Sequence, residues 1–196
     1  YDELYAACQK KLYSGGYKIY TTIDMDKQKK LQSTVDDTLA GFTEKNDDGT
    51  YNMQGAAVTI DNNTGYVVAI VGGRDQDFNS YTLNRAFQSH RQPGSSIKPL
   101  IVYTPAFERG YDPNTIVDDH KFEGGPSNAT NTYAGKIQLR YAVAKSLNTV
   151  AWQVYEQVTP KVGLQYLKNM NFSSIVKDDY TLATSLGGFT KGVSPL

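Results

Sequence analysis

Cysteine and histidine are almost missing from this 196-residue sequence. The single cysteine, Cys8, cannot form an intrachain disulfide. The two histidines, His90 and His120, do not combine with Cys8 into a cluster that has metal-ligand spacing. We therefore expect no disulfide, no structural metal and no bound cofactor.

Net charge and long apolar runs are lacking as well. Lys and Arg together number 20, as do Asp and Glu, so the formal net charge is +0. This balance argues against nucleic acid as a partner, because nucleic-acid binding needs a basic patch or stripe. The longest apolar run, Tyr66 to Val71, is far too short to cross a bilayer, and no basic signal-peptide region opens the chain. Because the sequence starts without Met and stops within a hydrophobic stretch, we expect it to be part of a longer protein.

The aromatic content indicates a folded chain, since fifteen tyrosines and 39% hydrophobic residues are too many for a disordered one. Residues 17–23 are β-branched and aromatic and predict a short strand. Asp24 can then cap a surface helix with one apolar stripe. That stripe consists of Leu31, Val35, Leu39 and Phe42. The turn-rich residues 45–49 mark the boundary between a linker, 1–50, and the next domain, 51–196.

Two β-type runs, residues 56–60 and 66–71, flank a loop rich in Asp, Asn and Gly. This pattern predicts an antiparallel hairpin. The remainder of the chain has helical patterning, with loops predicted at 110–135 and 159–163. A hairpin followed by helices predicts the α+β class.

The first candidate site is Ser95-Ser96-Ile97-Lys98, a Ser-x-x-Lys pattern. It follows a Pro-Gly turn and precedes an apolar stretch, so we expect Ser95 to begin a helix, where N–H groups and the helix dipole favour negative charge. Lys98 lies about one turn further on the same face. A lysine kept neutral by burial could accept the Ser95 hydroxyl proton without any histidine.

The pattern alone is weak evidence, because this composition gives about one Ser-x-x-Lys match by chance. Ser174 to Lys177 matches too, although it precedes a polar turn. The alternative for Ser95 is a capping serine followed by a surface lysine. Neither histidine is placed to suggest a Ser-His-Asp triad.

The second candidate is Ser146-Leu147-Asn148. Apolar residues keep helical spacing from Leu139 to Val158, so one continuous buried helix would explain the segment equally well. In such a helix, residues two apart face different directions. A shared site for Ser146 and Asn148 therefore requires a break in the helix at residues 146–148.

In combination, these motifs resemble the transpeptidase domain of the class A penicillin-binding proteins. The resemblance covers most of the chain from about Tyr17 onward. It rests on the Ser-x-x-Lys segment with its flanks, on Ser-x-Asn, and on matching stretches in the same order. Those stretches are Val58-Thr59-Ile60-Asp61, Thr64-Gly65, Gly72-Gly73, Asn84-Arg85-Ala86-Phe87, Arg91-Gln92-Pro93-Gly94 and Thr184-Ser185-Leu186-Gly187-Gly188.

The resemblance implies a β-lactamase/transpeptidase-like fold, in which helices pack on an antiparallel sheet. It implies that Ser95 is the acylated nucleophile, Lys98 its general base and Ser146 a proton relay, while Asn148 binds the substrate peptide. The reaction would be D,D-transpeptidation of peptidoglycan stem peptides that end in D-Ala-D-Ala, and β-lactams would acylate the same serine. The implied setting is cell-wall biogenesis, cell shape and antibiotic resistance, at the extracytoplasmic face of the bacterial membrane.

One family motif is absent. No Lys-Thr-Gly or Lys-Ser-Gly follows Asn148, and Lys161-Val162-Gly163 has the wrong middle residue. We therefore expect the rest of the sheet, with this motif, on a segment beyond the given sequence, and a glycosyltransferase domain upstream. Two alternatives stay open, a serine β-lactamase-like hydrolase and a catalytically silent β-lactam-sensing or interaction module.

Overall fold

The computed structural model describes residues 1–75 and 82–196, which form two compact units. Unit 1 comprises residues 1–86 together with Leu196, and unit 2 comprises residues 87–195. The division between them does not coincide with the predicted linker boundary at residue 50, which stays a prediction.

In the described part of unit 1, the chain forms the helices α1 (Asp2–Ser14) and α2 (Met25–Leu39) and a β-hairpin of β1 (Ala57–Ile60) and β2 (Val67–Val71). The strands pair antiparallel, as the sequence predicts. Asp61 Oδ1 accepts the N–H of Asn63 in the connecting loop, and Gly65 adopts a φ of 73° there. The Asp, Asn and Gly residues of this loop thus supply the conformations that the hairpin needs.

Helix α2 begins where the sequence predicts, because Asp24 accepts the N–H groups of Asp26 and Lys27 at 3.0 and 3.2 Å. The Gln28 side chain both donates to and accepts from the backbone of Ile70 in β2, at 2.9 and 2.8 Å. These two hydrogen bonds satisfy the carbonyl and the N–H of Ile70, which would otherwise need other partners. No residue of α2 is fully buried, which agrees with the predicted surface helix.

The strand predicted over residues 17–23 is wrong. This stretch has no regular secondary structure, and Ile19 and Tyr20 are exposed. β-type residues form a strand only when a neighbouring strand accepts their hydrogen bonds and side chains. Because no strand pairs with this segment within the described residues, its composition alone does not produce one.

Unit 2 is mainly helical, with a second small hairpin. In chain order it contains α3 (Arg85–Gln88, which begins in unit 1), a 3₁₀ turn (Gly94–Ile97), a π-helix (Pro99–Tyr103), α4 (Thr104–Phe107), β3 (Ile116–Asp119), β4 (Gly135–Gln138), α5 (Leu139–Ala144), α6 (Asn148–Val158), α7 (Pro160–Asn169) and 3₁₀ helices at Lys177–Asp179 and Leu182–Leu186. Strands β3 and β4 pair antiparallel.

The core of unit 2 forms where the π-helix, α6 and α7 meet. Fully buried members include Ile101, Val102, Val150, Tyr155 and Leu164. Burying one such side chain contributes on the order of 1.5–3 kcal/mol. This core fixes the segments that carry both candidate motifs.

Two predicted loops need correction. The region 110–135 contains β3 and the first residue of β4. The sequence does not indicate these four-residue strands, because they are half exposed and lack a long apolar pattern. The region 159–163 is mostly helix, since α7 begins at Pro160. Thr159, with a φ of 75°, makes the whole connection between α6 and α7. A proline at the first helical position starts the new helix without needing its missing N–H.

Within the described residues, no helix combines the length and apolar character needed to cross a membrane.

Candidate active site

Ser95 lies in the 3₁₀ turn Gly94–Ile97 and is exposed. The turn is tied locally, because Ser96 Oγ donates to the carbonyl of Pro93 at 2.7 Å and the N–H of Lys98 donates to the carbonyl of Ser95. Ser95 therefore begins a helical segment, as predicted, although the first turn is 3₁₀ rather than α. Because the chain stays helical through the π-helix to Phe107, the N-terminal position of Ser95 and its one-turn spacing to Lys98 both hold.

The chain continues from this turn into the π-helix Pro99–Tyr103 and then into α4. Prolines explain the change of helix type, because Pro99 and Pro105 lack the N–H groups that a regular α-helix needs. Pro105 falls in the first turn of α4, where a missing N–H costs little. Short π segments often occur at functional sites, and this one begins directly after Lys98.

Lys98 is the central buried polar residue of the site, with 1% of its surface exposed. Its ammonium donates to the Ser146 carbonyl at 2.7 Å, to Asn148 Oδ1 at 2.8 Å and to Ser146 Oγ at 3.2 Å. Burial lowers the pKa of Lys98 to about 8, because an ammonium is poorly solvated there. A large share of Lys98 is therefore neutral at mildly alkaline pH and able to accept a proton.

The Ser-x-Asn segment breaks the helix, as the shared site requires. Helix α5 ends at Ala144, α6 begins at Asn148, and Ser146 has a φ of 52°. The N–H of Ser146 donates to the Val143 carbonyl, and the N–H of Leu147 donates to the Ala142 carbonyl. These two bonds define a Schellman motif, whose left-handed position is usually glycine. A serine there costs backbone strain and points both its carbonyl and its hydroxyl at Lys98.

Asn148 is the first residue of α6, and both ends of its amide are engaged. Oδ1 accepts from Lys98, and Nδ2 donates to the Ser127 carbonyl at 2.9 Å. Each amide end has capacity for one further hydrogen bond, which a substrate peptide could use. The structure thus brings Lys98, Ser146 and Asn148 together.

Ser95 lies outside the hydrogen-bonded group formed by Lys98, Ser146 and Asn148. The hydrogen bonds of Lys98 within the described chain go to Ser146 and Asn148, and none joins it to Ser95. Such contacts often form only when substrate is bound. In the second Ser-x-x-Lys match, Ser174 Oγ donates to the Gly192 carbonyl at 2.7 Å and Lys177 is exposed. The Ser174 hydroxyl therefore stabilises the fold locally and has no buried amine as a partner.

A cavity of about 320 Å³ adjoins Ser146 and Leu147. Its polar lining comes mainly from the region between β3 and β4, where the sequence predicts only a loop. That lining includes Asn128, Thr130, Thr132 and Tyr133, with Lys145 on the opposite element. No sequence motif identifies these residues, because their proximity to Ser146 depends on the β3–β4 hairpin.

The imperfect third motif and His120 make packing and local contacts rather than contacts with the candidate site. Gly163, in the imperfect third motif, lies in α7 against Tyr155, where a Cβ atom would come within 2.4 Å of the tyrosine ring. His120 contacts Asp118 and Phe122 rather than a serine. Within the described residues, no group of three acidic, histidine or cysteine side chains is placed to hold a metal ion.

The Gly187 backbone packs directly on the turn that carries Ser95. Gly187 has a φ of 89°, and a Cβ atom there would lie 2.3 Å from the Gly94 nitrogen. The Gln92 amide ties the same regions together, because it donates to the Phe189 carbonyl and accepts the Phe189 N–H at 2.6 Å. The segment after Leu186 therefore fixes the backbone that precedes the nucleophile.

Gly187→Ala is expected to destabilise the domain by roughly 2–5 kcal/mol, from left-handed strain together with overpacking. The loss of unfolding free energy can be measured by urea denaturation. Gly188→Ala is the matched control, because its Cβ would meet only Ala183 at 3.3 Å and should cost about 1 kcal/mol or less. Equal effects of the two substitutions would contradict the proposed packing.

Comparison with known proteins agrees with this geometry. A family model described as "Penicillin binding protein transpeptidase domain" matches residues 55–192. The chain is 34% identical to penicillin-binding protein 4 of Bacillus subtilis over 189 residues, covering 94% of the chain and 28% of that protein. It is 36% identical to penicillin-binding protein 1A/1B of the same organism, covering 92% of the chain and 20% of the relative.

Solved structures show the same fold. The structure of PonA1 from Mycobacterium tuberculosis in complex with penicillin V matches with a TM-score of 0.74 at 22% identity, over 95% of this chain and 51% of that one. Penicillin-binding protein 1A from Haemophilus influenzae matches with a TM-score of 0.59 at 25% identity, over 74% of this chain and 23% of that one.

The fold is thus α+β of the β-lactamase/transpeptidase-like type, as predicted. The chain belongs to the penicillin-binding protein transpeptidase domain family, and the resemblance to class A proteins is confirmed. It spans about a quarter of the length of the curated relatives it matches.

Proposed function

We propose that this chain provides the nucleophile, the general base and the Ser-x-Asn motif of a peptidoglycan D,D-transpeptidase. The observation that carries the proposal is the buried Lys98 ammonium, which is held by Ser146 and Asn148 one helical turn from an exposed serine. A buried amine of lowered pKa next to a serine hydroxyl is the arrangement that activates serine without histidine.

In the proposed acylation step, Ser95 Oγ attacks the carbonyl carbon between the two D-Ala residues. Its proton passes to the neutral amine of Lys98. The C–N bond then breaks, and the departing D-Ala amine receives a proton through the Ser146 hydroxyl, which lies 3.2 Å from Lys98 Nζ. An amine from a second stem peptide attacks the acyl-Ser95 ester, so that a new peptide bond forms and Ser95 recovers its proton.

Asn148 has a supporting role in this scheme. Its Oδ1 takes one hydrogen of the Lys98 amine and the Ser146 carbonyl takes another. A neutral amine has two hydrogens and one lone pair. With both hydrogens committed, the lone pair is left for the hydroxyl protons of Ser146 or Ser95. The free capacity of the Asn148 amide would hold the peptide of the substrate.

The same proposal includes the cellular location, the inhibitors and the neighbouring domains. We place the domain at the extracytoplasmic face of the bacterial membrane, with β-lactams as inhibitors and with roles in cell shape and antibiotic resistance. The strand with the Lys-Thr/Ser-Gly motif would come from a segment outside the given sequence, and a glycosyltransferase domain would make the parent protein multifunctional. Residues 1–50 would link the two domains.

The lifetime of a penicillin adduct on the full-length protein separates a transferase from a β-lactamase. A hydrolase needs a free base to activate water. The buried carboxylates of unit 2, Asp119 and Asp179, are instead occupied by backbone and side-chain donors. We expect the adduct, followed by intact mass, to persist for many minutes. Release of the drug within seconds would overturn the transferase assignment.

The acylation rate is expected to rise with pH. Only neutral Lys98 accepts the Ser95 proton, and the pKa of Lys98 is about 8. The rate should therefore climb about tenfold per pH unit from pH 6 to 7 and level off above pH 8, a total gain on the order of 100-fold. Stopped-flow measurement of fluorescent penicillin binding tests this. A flat profile, or one that falls with pH while the protein stays folded, would contradict the base role.

A further inference from the structure

Asn128, in the connection between β3 and β4, caps a helix that lies far from it in sequence. Leu147, at the N-cap position of α6, provides no side-chain acceptor. Instead Asn128 Oδ1 accepts the N–H groups of Asn148 at 2.8 Å and Thr149 at 3.3 Å. Asn128 is only 4% exposed, so this cap is built into the protein interior.

Asp119, the last residue of β3, fixes which way the Asn128 amide points. Asn128 Nδ2 donates to Asp119 Oδ1 at 2.7 Å and to the Thr132 carbonyl at 3.0 Å. Because an ionised carboxylate and a carbonyl only accept hydrogen bonds, Nδ2 must face them and Oδ1 must face the helix. Asp119 also accepts from Thr149 Oγ1 and from the N–H of Ala134 at 2.8 Å.

Asp119 can hold this arrangement as a carboxylate although it is 1% exposed. Burial by itself raises the pKa of Asp119. The hydrogen bonds from Thr149, Asn128 and Ala134 outweigh burial, so its pKa lies below the usual 3.8. The negative charge also lies next to the first turn of α6, where the helix dipole favours it.

The same stretch of chain holds the side chain of Asn148. Ser127, the neighbour of Asn128, accepts from Asn148 Nδ2 through its carbonyl at 2.9 Å. That bond turns the other end of the amide, Oδ1, toward Lys98 at 2.8 Å. The backbone and the side chain of Asn148 are therefore both oriented by residues 127–128, and Asp119 anchors that dipeptide.

We propose that Asp119 and Asn128 are positioning residues that orient the Asn148 amide against Lys98 for acylation of Ser95. The proposal rests on the proposed function above. It assigns these two residues a role that no sequence motif marks. It also predicts that their effect on acylation depends on the presence of the Asn148 side chain.

A double-mutant cycle tests this dependence in the full-length protein. The acylation rate with fluorescent penicillin is measured for wild type, Asn128→Ala, Asn148→Ala and the double variant. We expect Asn128→Ala to slow acylation about 10- to 100-fold in the wild type, through misplacement of the Asn148 amide. In the Asn148→Ala background the same change should cost less than about twofold.

Melting temperatures separate positioning from general destabilisation. Gln153→Ala is the matched control, because Gln153 Nε2 donates to the Asp118 carbonyl at 3.0 Å and so links α6 to β3 without contacting Asn148. It should lower the melting temperature but leave the acylation rate within about twofold of wild type. If Asn128→Ala does not fold, Asp119→Asn takes its place in the cycle, since an amide cannot satisfy all three donors in the same orientation.

Equal rate losses from Asn128→Ala in both backgrounds would overturn the positioning role. So would a rate loss in Gln153→Ala as large as that in Asn128→Ala. A wild-type protein that takes up no penicillin would overturn the proposed function, and with it this inference. Normal labelling of the wild type, combined with equal rate losses from Asn128→Ala in both backgrounds, would reject the inference alone.

Discussion

Lys98→Ala is expected to reduce the rate of penicillin acylation by about 10²- to 10⁴-fold, the usual contribution of a general base. The substitution removes the amine that accepts the Ser95 proton. It also frees the acceptors on Ser146 and Asn148. The fold should survive, because the protein no longer has to bury an ammonium whose pKa burial lowers to about 8. Circular dichroism and the rate of fluorescent penicillin uptake measure the two effects.

Two further variants sharpen that result. Lys98→Met keeps most of the side-chain volume without the amine, so it should be as slow as Lys98→Ala. Lys177→Ala removes the exposed lysine of the second Ser-x-x-Lys match and should acylate at the wild-type rate. A folded Lys98→Met variant with a normal acylation rate would eliminate the base role of Lys98.

Ser95→Ala is expected to abolish the covalent penicillin adduct completely. Without the hydroxyl no acyl-enzyme can form, whatever the state of Lys98. Because Ser95 is exposed, the variant should melt within a few degrees of wild type. Intact mass spectrometry after incubation with penicillin reports the adduct directly.

Ser174→Ala provides the control for Ser95→Ala. Ser174 donates to the Gly192 carbonyl, so its loss should cost about 1 kcal/mol of stability and leave labelling unchanged. An adduct that persists in Ser95→Ala, or that maps to Ser174 after proteolysis, would refute the assignment of the nucleophile.

Local sequence chemistry predicts part of this architecture well. Asp24 caps α2, and the Asp, Asn and Gly loop closes the β1–β2 hairpin, because both effects depend on residues close together in the chain. The need for both members of Ser-x-Asn to serve one site correctly implies a break in the helix. The left-handed Ser146 realises that break.

Tertiary contacts decide what the sequence cannot predict. Residues 17–23 have strand composition but no strand, because no neighbouring strand pairs with them in the described parts of the chain. The start of the Ser95 segment is 3₁₀ and π rather than α, since prolines at positions 99 and 105 interrupt the hydrogen-bond pattern.

Asn128 shows most clearly that the sequence does not reveal contacts made only in the folded chain. Asn128 contacts a helix that begins twenty positions later, and it sits in a polar stretch that looks like any loop. Only the β3–β4 hairpin brings it to α6. The constraint at Ser146 is likewise visible only in the structure, where a serine occupies a left-handed helix terminus that favours glycine.

The most direct test of the central claim is the formation of cross-links by the full-length protein. Stem peptides ending in D-Ala-D-Ala are incubated with wild type and with Ser95→Ala, together with an acceptor amine, and the products are identified by mass spectrometry. We expect the wild type to release one D-Ala for each new peptide bond and Ser95→Ala to form neither product. A wild-type protein that is acylated by penicillin but forms no cross-link would contradict the account and indicate a sensing or interaction module.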